Sequence, residues 1–262
     1  MHRHAGSTTA FVEHFGQKQN FLIEPDCIAF DMPFPPVEEV IDILRRHPDA
    51  KFREPDALQA GDAFSAWVRE TPLERLLEEG HFGLSHFELN AFYGPGQFLH
   101  DLQERVMIPW RVFLSGMGFT WQRCAPYIFI STAGVASTYH ADRSHVVAWQ
   151  LEGVKTFNGF LEPDKYAPIG ECIDPAGFER TPDPPPHDPA DVLSYRMEPG
   201  ALLWNHLLTP HWVVADDAHP AMSLNISHGL VRHRGTFSPN EALLHRRWQD
   251  HPDEAWLADL RY

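Results

Sequence analysis

The spacing of apolar residues changes along the chain, and in its first part it is mostly helical. Val37, Val40, Ile41 and Leu44 recur at the intervals that place side chains on one side of an α-helix. Two prolines precede them, at a helix start where proline is tolerated. Residues 1–110 as a whole predict helices mixed with short strands.

From about Tyr127 onward, short apolar runs alternate with turn residues in the manner of β-strands. The runs are YIFIST, HVVAWQLEG, KTFNGF, ALLWNH, HWVVA and MSLNISHGL. They are rich in β-branched and aromatic residues, and turn-forming residues separate them. This spacing predicts an antiparallel sandwich or barrel. The fold class that we expect is therefore mainly β with flanking α-helices.

A long insertion and a helical tail complete the predicted organisation. Residues 164–199 are rich in Pro, Asp and Gly, and a loop this long is usually functional or disordered, so we expect either a passive insertion or a flap over a site. Ser238, Pro239 and Glu241 form a helix start, with an N-cap followed by a first-turn proline and an acid. We expect a single domain over 1–262, with a mixed helical part at 1–110, a β core at 111–235 that contains the insertion, and a helical tail at 236–262.

The composition of the chain limits which binding partners and which cellular compartment we expect for the protein. The chain has 262 residues, 43% of them hydrophobic, and a formal net charge of −15, which argues against the phosphate backbone of a nucleic acid as its partner. No apolar run approaches the ~20 residues of a membrane helix, and the first residues lack the apolar stretch of a signal peptide. Three scattered cysteines do not suggest a disulfide framework. We expect a cytoplasmic protein without a membrane partner.

One His-x-Asp triplet is the first candidate for chemistry. His140-Ala141-Asp142 lies at the start of a predicted strand, where residues two apart project from the same face. Imidazole and carboxylate together suit Fe(II), Mn(II) or Zn(II). A third ligand would come from a later strand. His211 has the better spacing from the preceding turn at Gly200, and His206 remains the alternative.

Lys155 is the second candidate. It follows a turn at Gly153 and begins the next predicted strand. A buried lysine is costly unless an anion neutralises it, and a small dicarboxylate would do so; the competing interpretation is a surface lysine at a strand end. Ser137 and Asn225 offer neutral polar groups on strands expected to line the same cavity.

Two further polar residues are open to more than one interpretation. His145 has the wrong strand parity to share the face of Asp142, and we expect it to face solvent or substrate. Tyr127 could direct its phenol toward a cosubstrate, although packing within a strand explains it equally well.

These motifs together resemble the Jumonji-C family, and within it the hydroxylases. The resemblance covers roughly residues 125–230 and consists of Gly134-x-x-Ser137-x-x-His140-x-Asp142, Gly153-x-Lys155, Gly200 with His211 eleven residues later, and Asn225 within SLNIS. It implies a double-stranded β-helix of the cupin or jelly-roll type that holds Fe(II) and uses 2-oxoglutarate and O2.

The resemblance also implies a role for each matched residue. His140, Asp142 and His211 would be the metal ligands. Lys155 would pair with the distal carboxylate of 2-oxoglutarate, with Ser137 as its hydroxyl partner, and Asn225 would lie near the other end of the cosubstrate. Two positions depart from the family pattern: Thr209-Pro210 replaces an aromatic pair, and Val146 replaces a polar residue. These changes concern cosubstrate orientation and substrate choice.

The function expected from this resemblance is hydroxylation of a protein or peptide side chain or of a small molecule, with release of succinate and CO2. A metal-binding cupin that does not use 2-oxoglutarate, such as an isomerase or another dioxygenase, is one alternative. A non-catalytic binding protein on the same scaffold is another. The C-terminal helical segment, with Leu243, Leu244, Trp248 and Trp256, resembles the dimerising helices of the family, which implies a homodimer; packing within the monomer is the competing explanation.

Overall fold

The structure of the protein is a computed structural model, and it describes residues 3–55, 60–174, 180–216 and 218–258, the last three of them by backbone alone. Fifteen strands lie within these ranges: β1 (His4–Ala5), β2 (Phe21–Ile23), β3 (Lys51–Arg53), β4 (Gly83–His86), β5 (Phe119–Thr120), β6 (Arg123–Ser131), β7 (His140–Ala141), β8 (His145–Glu152), β9 (Lys155–Phe160), β10 (Val192–Met197), β11 (Leu202–Asn205), β12 (Pro210–Ala215), β13 (Ala221–Gly229), β14 (Arg232–His233) and β15 (Thr236–Phe237). The protein is therefore mainly β with added helices, as the sequence predicted.

The helices in the described ranges occur before, between and after the strands. They are α1 (Thr8–Phe15), α2 (Val37–Arg45), α3 (Asp62–Glu70), α4 (Leu73–Glu79), α5 (Ile108–Gly116), α6 (Pro163–Tyr166), α7 (Ile169–Ile173), α8 (Pro239–Asp250) and α9 (Pro252–Ala258). A π-helical turn at Gln103–Met107 leads into α5. The predicted amphipathic helix is confirmed as α2, whose Val40, Ile41 and Leu44 are fully buried.

Two sheets dominate the fold. The large sheet has the strand order β1-β2-β11-β8-β13-β6-β4-β3, and all of its pairings are antiparallel except β1 with β2. The small sheet has the order β10-β9-β12-β7 and is antiparallel throughout. Strands β1 to β4, from the first 110 residues, complete both edges of the large sheet. A third sheet joins β15, β14 and β5.

The two faces of the large sheet differ in chemistry. On β13, Met222, Leu224 and Ile226 point to one face and belong to the main hydrophobic core together with residues of α1, α2 and α5. Ser223 and Asn225 alternate with them and point to the other face. All nine residues of β13 are buried. A buried strand with one polar face indicates that this face lines an internal site rather than a packed core.

Helix α8, the first helix of the predicted helical tail, packs against its own chain. Its buried side chains are Asn240, Glu241 and Leu244, and Leu244 shares a small apolar cluster with Leu207 and Leu208. The predicted homodimer remains a prediction, and the side chain of Trp256 lies outside the described residues. None of the helices in the described residues is both long enough and apolar enough to cross a lipid bilayer.

Candidate metal centre

Three side chains with metal-binding chemistry converge between β7 and β12. His211 is the register partner of His140 on the neighbouring strand, and Asp142 follows β7 directly. One ligand atom from each of the three lies within 4.8 Å of the others. The Nε2 atoms face the same carboxylate: that of His140 is 3.5 Å from Oδ1 of Asp142 and that of His211 is 3.6 Å from Oδ2. The structure thus brings together all three residues proposed as ligands from the sequence.

The backbone sets the protonation pattern of both imidazoles. The Nδ1 atom of His140 lies 2.7 Å from the carbonyl oxygen of Thr138, and that of His211 lies 3.0 Å from the carbonyl oxygen of Thr209. A carbonyl only accepts hydrogen bonds, so each Nδ1 carries the proton and donates. In the neutral ring the Nε2 lone pair is then free for a metal ion, the arrangement in which a second partner fixes the orientation of a ligating histidine.

Burial keeps these imidazoles neutral. Desolvation lowers the pKa of His140, the charge of His211 lowers it further, and Asp142 opposes the shift. Desolvation also lowers the pKa of His211, again opposed by Asp142 and reinforced by Arg180. Neutral imidazole is the form that binds a metal, so the pair is ready to bind at neutral pH without first losing protons.

Asn205 and Phe157 contact the candidate ligands, and sequence reasoning missed both. The Nδ2 atom of Asn205, the last residue of β11, donates to Oδ2 of Asp142 at 2.9 Å. The ring of Phe157 stacks on His211 with 4.8 Å between centroids and 12° between planes. Strand parity offered a signal for Phe157, which lies two residues after Lys155 on the same face.

Lys155 is buried and reaches from the small sheet to the large one. Its Nζ atom is 3.2 Å from the carbonyl oxygen of Phe129 on β6 and 3.3 Å from Oγ of Ser223 on β13. No carboxylate within the described part of the chain forms an ion pair with it. Desolvation, together with the positive charge of Arg53, lowers its pKa to about 7. The structure therefore disagrees with the alternative of a surface lysine at a strand end.

Ser137 and Asn225 occupy different parts of the surroundings. The Oγ atom of Ser137 accepts a hydrogen bond from the backbone N–H of Val213 at 2.7 Å. The hydroxyl thus takes the place that a backbone carbonyl oxygen of a neighbouring strand would have beside β12. Asn225 lies opposite Tyr127 in the register of β13 and β6 and bonds to its phenol. Desolvation raises the pKa of Tyr127 well above its usual value, and the nearby charge of Asp142 adds to the shift.

Two histidines have other roles. His206, the alternative third ligand, is outside the ligand cluster found in the described residues; it is buried, and its ring packs edge-on against Trp204 and tilted against Phe15. The expectation that His145 faces solvent or substrate is wrong. Its side chain is fully buried, and its Nε2 atom lies 3.0 Å from Oε2 of Glu241. Its strand parity directs it to the side where α8 supplies a carboxylate.

The insertion contacts the segment that carries two of the candidate ligands, His140 and Asp142. Thr181 pairs with Tyr139 through two backbone hydrogen bonds, of 2.8 and 3.1 Å, directly before His140. Beside this contact is a cavity of about 420 Å³ whose wall includes Arg53, Ser137 and Asp183. The insertion also provides α6, α7 and strand β10 at the edge of the small sheet. Its proposed role as a flap remains a prediction.

Comparison with known proteins identifies the fold. No protein-family model matches the chain, and no curated protein matches its sequence. Among solved structures, Escherichia coli YcfD is similar, with a TM-score of 0.50 and 19% identity over 84% of this chain and 52% of that one. A structure of YcfD described as a ribosomal oxygenase, in complex with cobalt and succinic acid, gives a TM-score of 0.51 and 18% identity over 84% of this chain and 50% of that one.

The chain has the fold of these oxygenases. The resemblance to the Jumonji-C family that its motifs indicated is thereby confirmed at the level of the fold. The chain spans about half the length of the solved structures that it matches.

Proposed function

We propose that the protein is an Fe(II)- and 2-oxoglutarate-dependent oxygenase that hydroxylates a peptide or protein side chain or a small molecule, with release of succinate and CO2. The carrying observation is the donor set formed by His140, Asp142 and His211, whose two Nε2 atoms face one carboxylate while both Nδ1 atoms are bound to backbone carbonyls. Two neutral imidazoles and one carboxylate suit Fe(II) with coordination positions left open. Under this proposal the two sheets are the halves of a double-stranded β-helix.

The side chains would divide the work by their chemistry. His140, Asp142 and His211 would hold the iron, and Asn205 would keep the carboxylate of Asp142 in one orientation through its hydrogen bond. Fe(II), when bound, would supply the redox chemistry that activates O2. The buried ring of His211 would shield one side of the site from bulk water, whereas Asp142, 29% exposed, would leave the other side accessible to substrate.

Lys155 is suited to the distal carboxylate of 2-oxoglutarate. It is buried without an acidic partner among the described residues, and its register partner Ala215 lies four residues from His211 on β12. Four residues of strand span ~13 Å, a distance that a five-carbon dicarboxylate and a lysine side chain can share. Ser137 and Asn225 would be further polar groups for the cosubstrate, as the family resemblance implies.

Two buried amide oxygens without a hydrogen-bond partner in the part of the chain that the structure describes are consistent with a site that binds a ligand. Oδ1 of Asn205 and Oδ1 of Asn225 are buried, and neither has a hydrogen-bond partner within the described residues. Leaving such a group unpaired costs about 1–3 kcal/mol. 2-oxoglutarate has only acceptor oxygens, so the donor to these amide oxygens would be water bound beside the cosubstrate, or an N–H or O–H of the substrate, which would offset this cost.

The proposal is tested by anaerobic titration of the metal-free protein with Fe(II) and then 2-oxoglutarate. A saturable visible charge-transfer band is expected, absent in Asp142→Ala and weakened in Lys155→Ala. Folded, iron-loaded protein that shows no band would exclude the use of 2-oxoglutarate and favour a cupin of different chemistry. Since YcfD is described as a ribosomal oxygenase, ribosomal peptides are the first substrates to test by mass spectrometry for a gain of one oxygen atom.

A further inference from the structure

The loop between β11 and β12, residues 206–209, is attached to two of the candidate ligands. The backbone N–H of Leu208 donates to the carbonyl oxygen of Asp142 at 2.7 Å. The carbonyl oxygen of Thr209 accepts from Nδ1 of His211 at 3.0 Å. The position of this loop therefore sets both the backbone at Asp142 and the rotation of the His211 ring.

The backbone of this loop is strained at one residue. Leu208 has a φ of 57°, a left-handed conformation that residues with a side chain adopt rarely. Leu207, Leu208 and Thr209 are all buried. A strained backbone persists where the surrounding structure over-determines it, so the contacts that hold this loop matter for the ligands attached to it.

Buried polar side chains from β8 and α8 hold the loop. Nδ1 of His145 accepts from the backbone N–H of Leu207 at 3.2 Å, which leaves the proton on Nε2 to donate to Oε2 of Glu241 at 3.0 Å. Oε1 of Glu241 accepts from the backbone N–H of Val231 at 3.1 Å. Nδ2 of Asn240 donates to the carbonyl oxygen of Leu207 at 3.0 Å and lies 3.3 Å from Oγ1 of Thr209.

We propose that Asn240 and Glu241 of α8 are positioning residues for the metal centre, which act through His145 and the 206–209 loop to fix Asp142 and His211 before a metal binds. Neither residue contacts a candidate ligand. Asn240 bonds directly to the 206–209 loop, and Glu241 holds the loop through His145. The inference rests on the proposed function, because it takes the three-residue cluster to be a metal site. A fully buried carboxylate is expensive to maintain, and a role in alignment gives a reason for its presence.

The test is a titration of metal-free protein with Co(II), followed by its visible absorption. Glu241→Gln keeps the shape of the side chain but removes its charge, and Asn240→Ala removes both bonds to the loop. We expect each variant to bind Co(II) about 10-fold more weakly, the lower end of the range found when groups bonded directly to metal ligands are lost, because both residues act through the loop. The Co(II) spectrum at saturation should also change, because the ligand geometry relaxes.

The matched control is Thr132→Val. Oγ1 of Thr132 is buried and makes two hydrogen bonds to Phe82, at 2.8 and 3.2 Å, neither of them to the loop. This variant should lose stability but retain both the affinity for Co(II) and the spectrum of the original protein. Folded Asn240→Ala and Glu241→Gln proteins that match it in both respects would overturn the positioning role and leave the oxygenase proposal intact. An unaltered protein that binds no divalent metal would instead overturn the oxygenase proposal itself.

Hydrogen exchange of the unaltered protein decides the matter if the variants do not fold. The amides of Leu207 and Leu208 should exchange slowly in the metal-free state, because their acceptors on His145 and Asp142 are already in place. Rapid exchange that becomes slow only after Co(II) is added would show that the metal, and not α8, orders the loop, and would refute the inference.

Discussion

The Nζ atom of Lys155 on β9 lies 3.3 Å from Oγ of Ser223 on β13, so that one buried amine connects the small sheet to the large sheet. A second hydrogen bond, to the carbonyl oxygen of Phe129, completes the contact. Both acceptors are neutral. The amine therefore loses solvation on folding without gaining an opposite charge. As a result, the free energy of unfolding should depend on the pH over the range in which the amine titrates.

Stability should rise with pH because of Lys155. Its pKa is about 7 in the folded protein and 10.5 as the ordinary value. Between these values the unfolded chain binds the proton and the folded chain does not, so raising the pH favours folding. From pH 7 to pH 9.5 the contribution is on the order of 3 kcal/mol. Urea unfolding across this range should show the rise in the unliganded protein, and it should be absent in Lys155→Met.

The same variant gives a second comparison at a fixed pH. At pH 6 the amine is charged in both states, and the buried charge carries its full desolvation cost. Lys155→Met should then be more stable than the original protein by a few kcal/mol, and this advantage should shrink by pH 9.5. A methionine variant with the same pH profile as the original protein would rule out Lys155 as the titrating group.

Arg53 should tune this titration. Its positive charge is the second cause of the lowered pKa of Lys155. The guanidinium lies over Gly83 of the neighbouring strand β4, where an added Cβ atom would be 3.3 Å from it. Arg53→Met should therefore raise the pKa of Lys155 and move the onset of the stability rise to higher pH. Lys51→Met, an exposed change on the same strand, is the control and should leave the onset in place.

The grouping of the three candidate ligands could be predicted in part because strand parity is a local property. Extended backbone at His140 places Asp142, which follows β7, on the same side, and the spacing from the Gly200 turn favoured His211, which lies in the cluster, over His206. The hydrogen bond from Asn205 to Asp142 could not be predicted in this way. It depends on which strands become neighbours in space, and that is decided by the packing of the whole sheet.

The start of α8 shows tertiary contacts overriding a local signal. Ser238 is the N-cap residue, as predicted, but its hydroxyl makes no capping bond to the helix; it lies 3.2 Å from Nε2 of His145. Glu241, expected to complete a capping arrangement, binds His145 and the backbone of Val231 instead. Ser238 and Glu241 therefore bond to the buried imidazole of His145 rather than to the helix end. His145 is distant from α8 in sequence, so a window of sequence around α8 cannot reveal this contact.

Gly153 should be far less tolerant of substitution than Gly200, although both have a positive φ, of 65° and 93°. A Cβ atom at Gly153 would meet the carbonyl oxygen of Pro220 at 2.4 Å, whereas Gly200 has open space. Gly200→Ala should cost about 1–2 kcal/mol through backbone strain alone. Gly153→Ala should cost clearly more, because the backbone must also shift. Urea unfolding of both variants measures the difference, and equal losses would contradict the steric argument.

The choice between His211 and His206 as the third ligand gives a direct test of the site. His211→Ala should lower the affinity for Fe(II) or Co(II) by more than about 100-fold, beyond the effect of losing an orienting group, because it removes one of three donors. His206→Gln should lower affinity less, by no more than the about 10- to 100-fold that loss of an orienting group costs, since His206 belongs to the 206–209 loop but lies outside the ligand cluster. Calorimetric metal titration of the two folded variants decides the point. The reverse order of effects would assign the third ligand to His206 and require a different arrangement of the loop before β12.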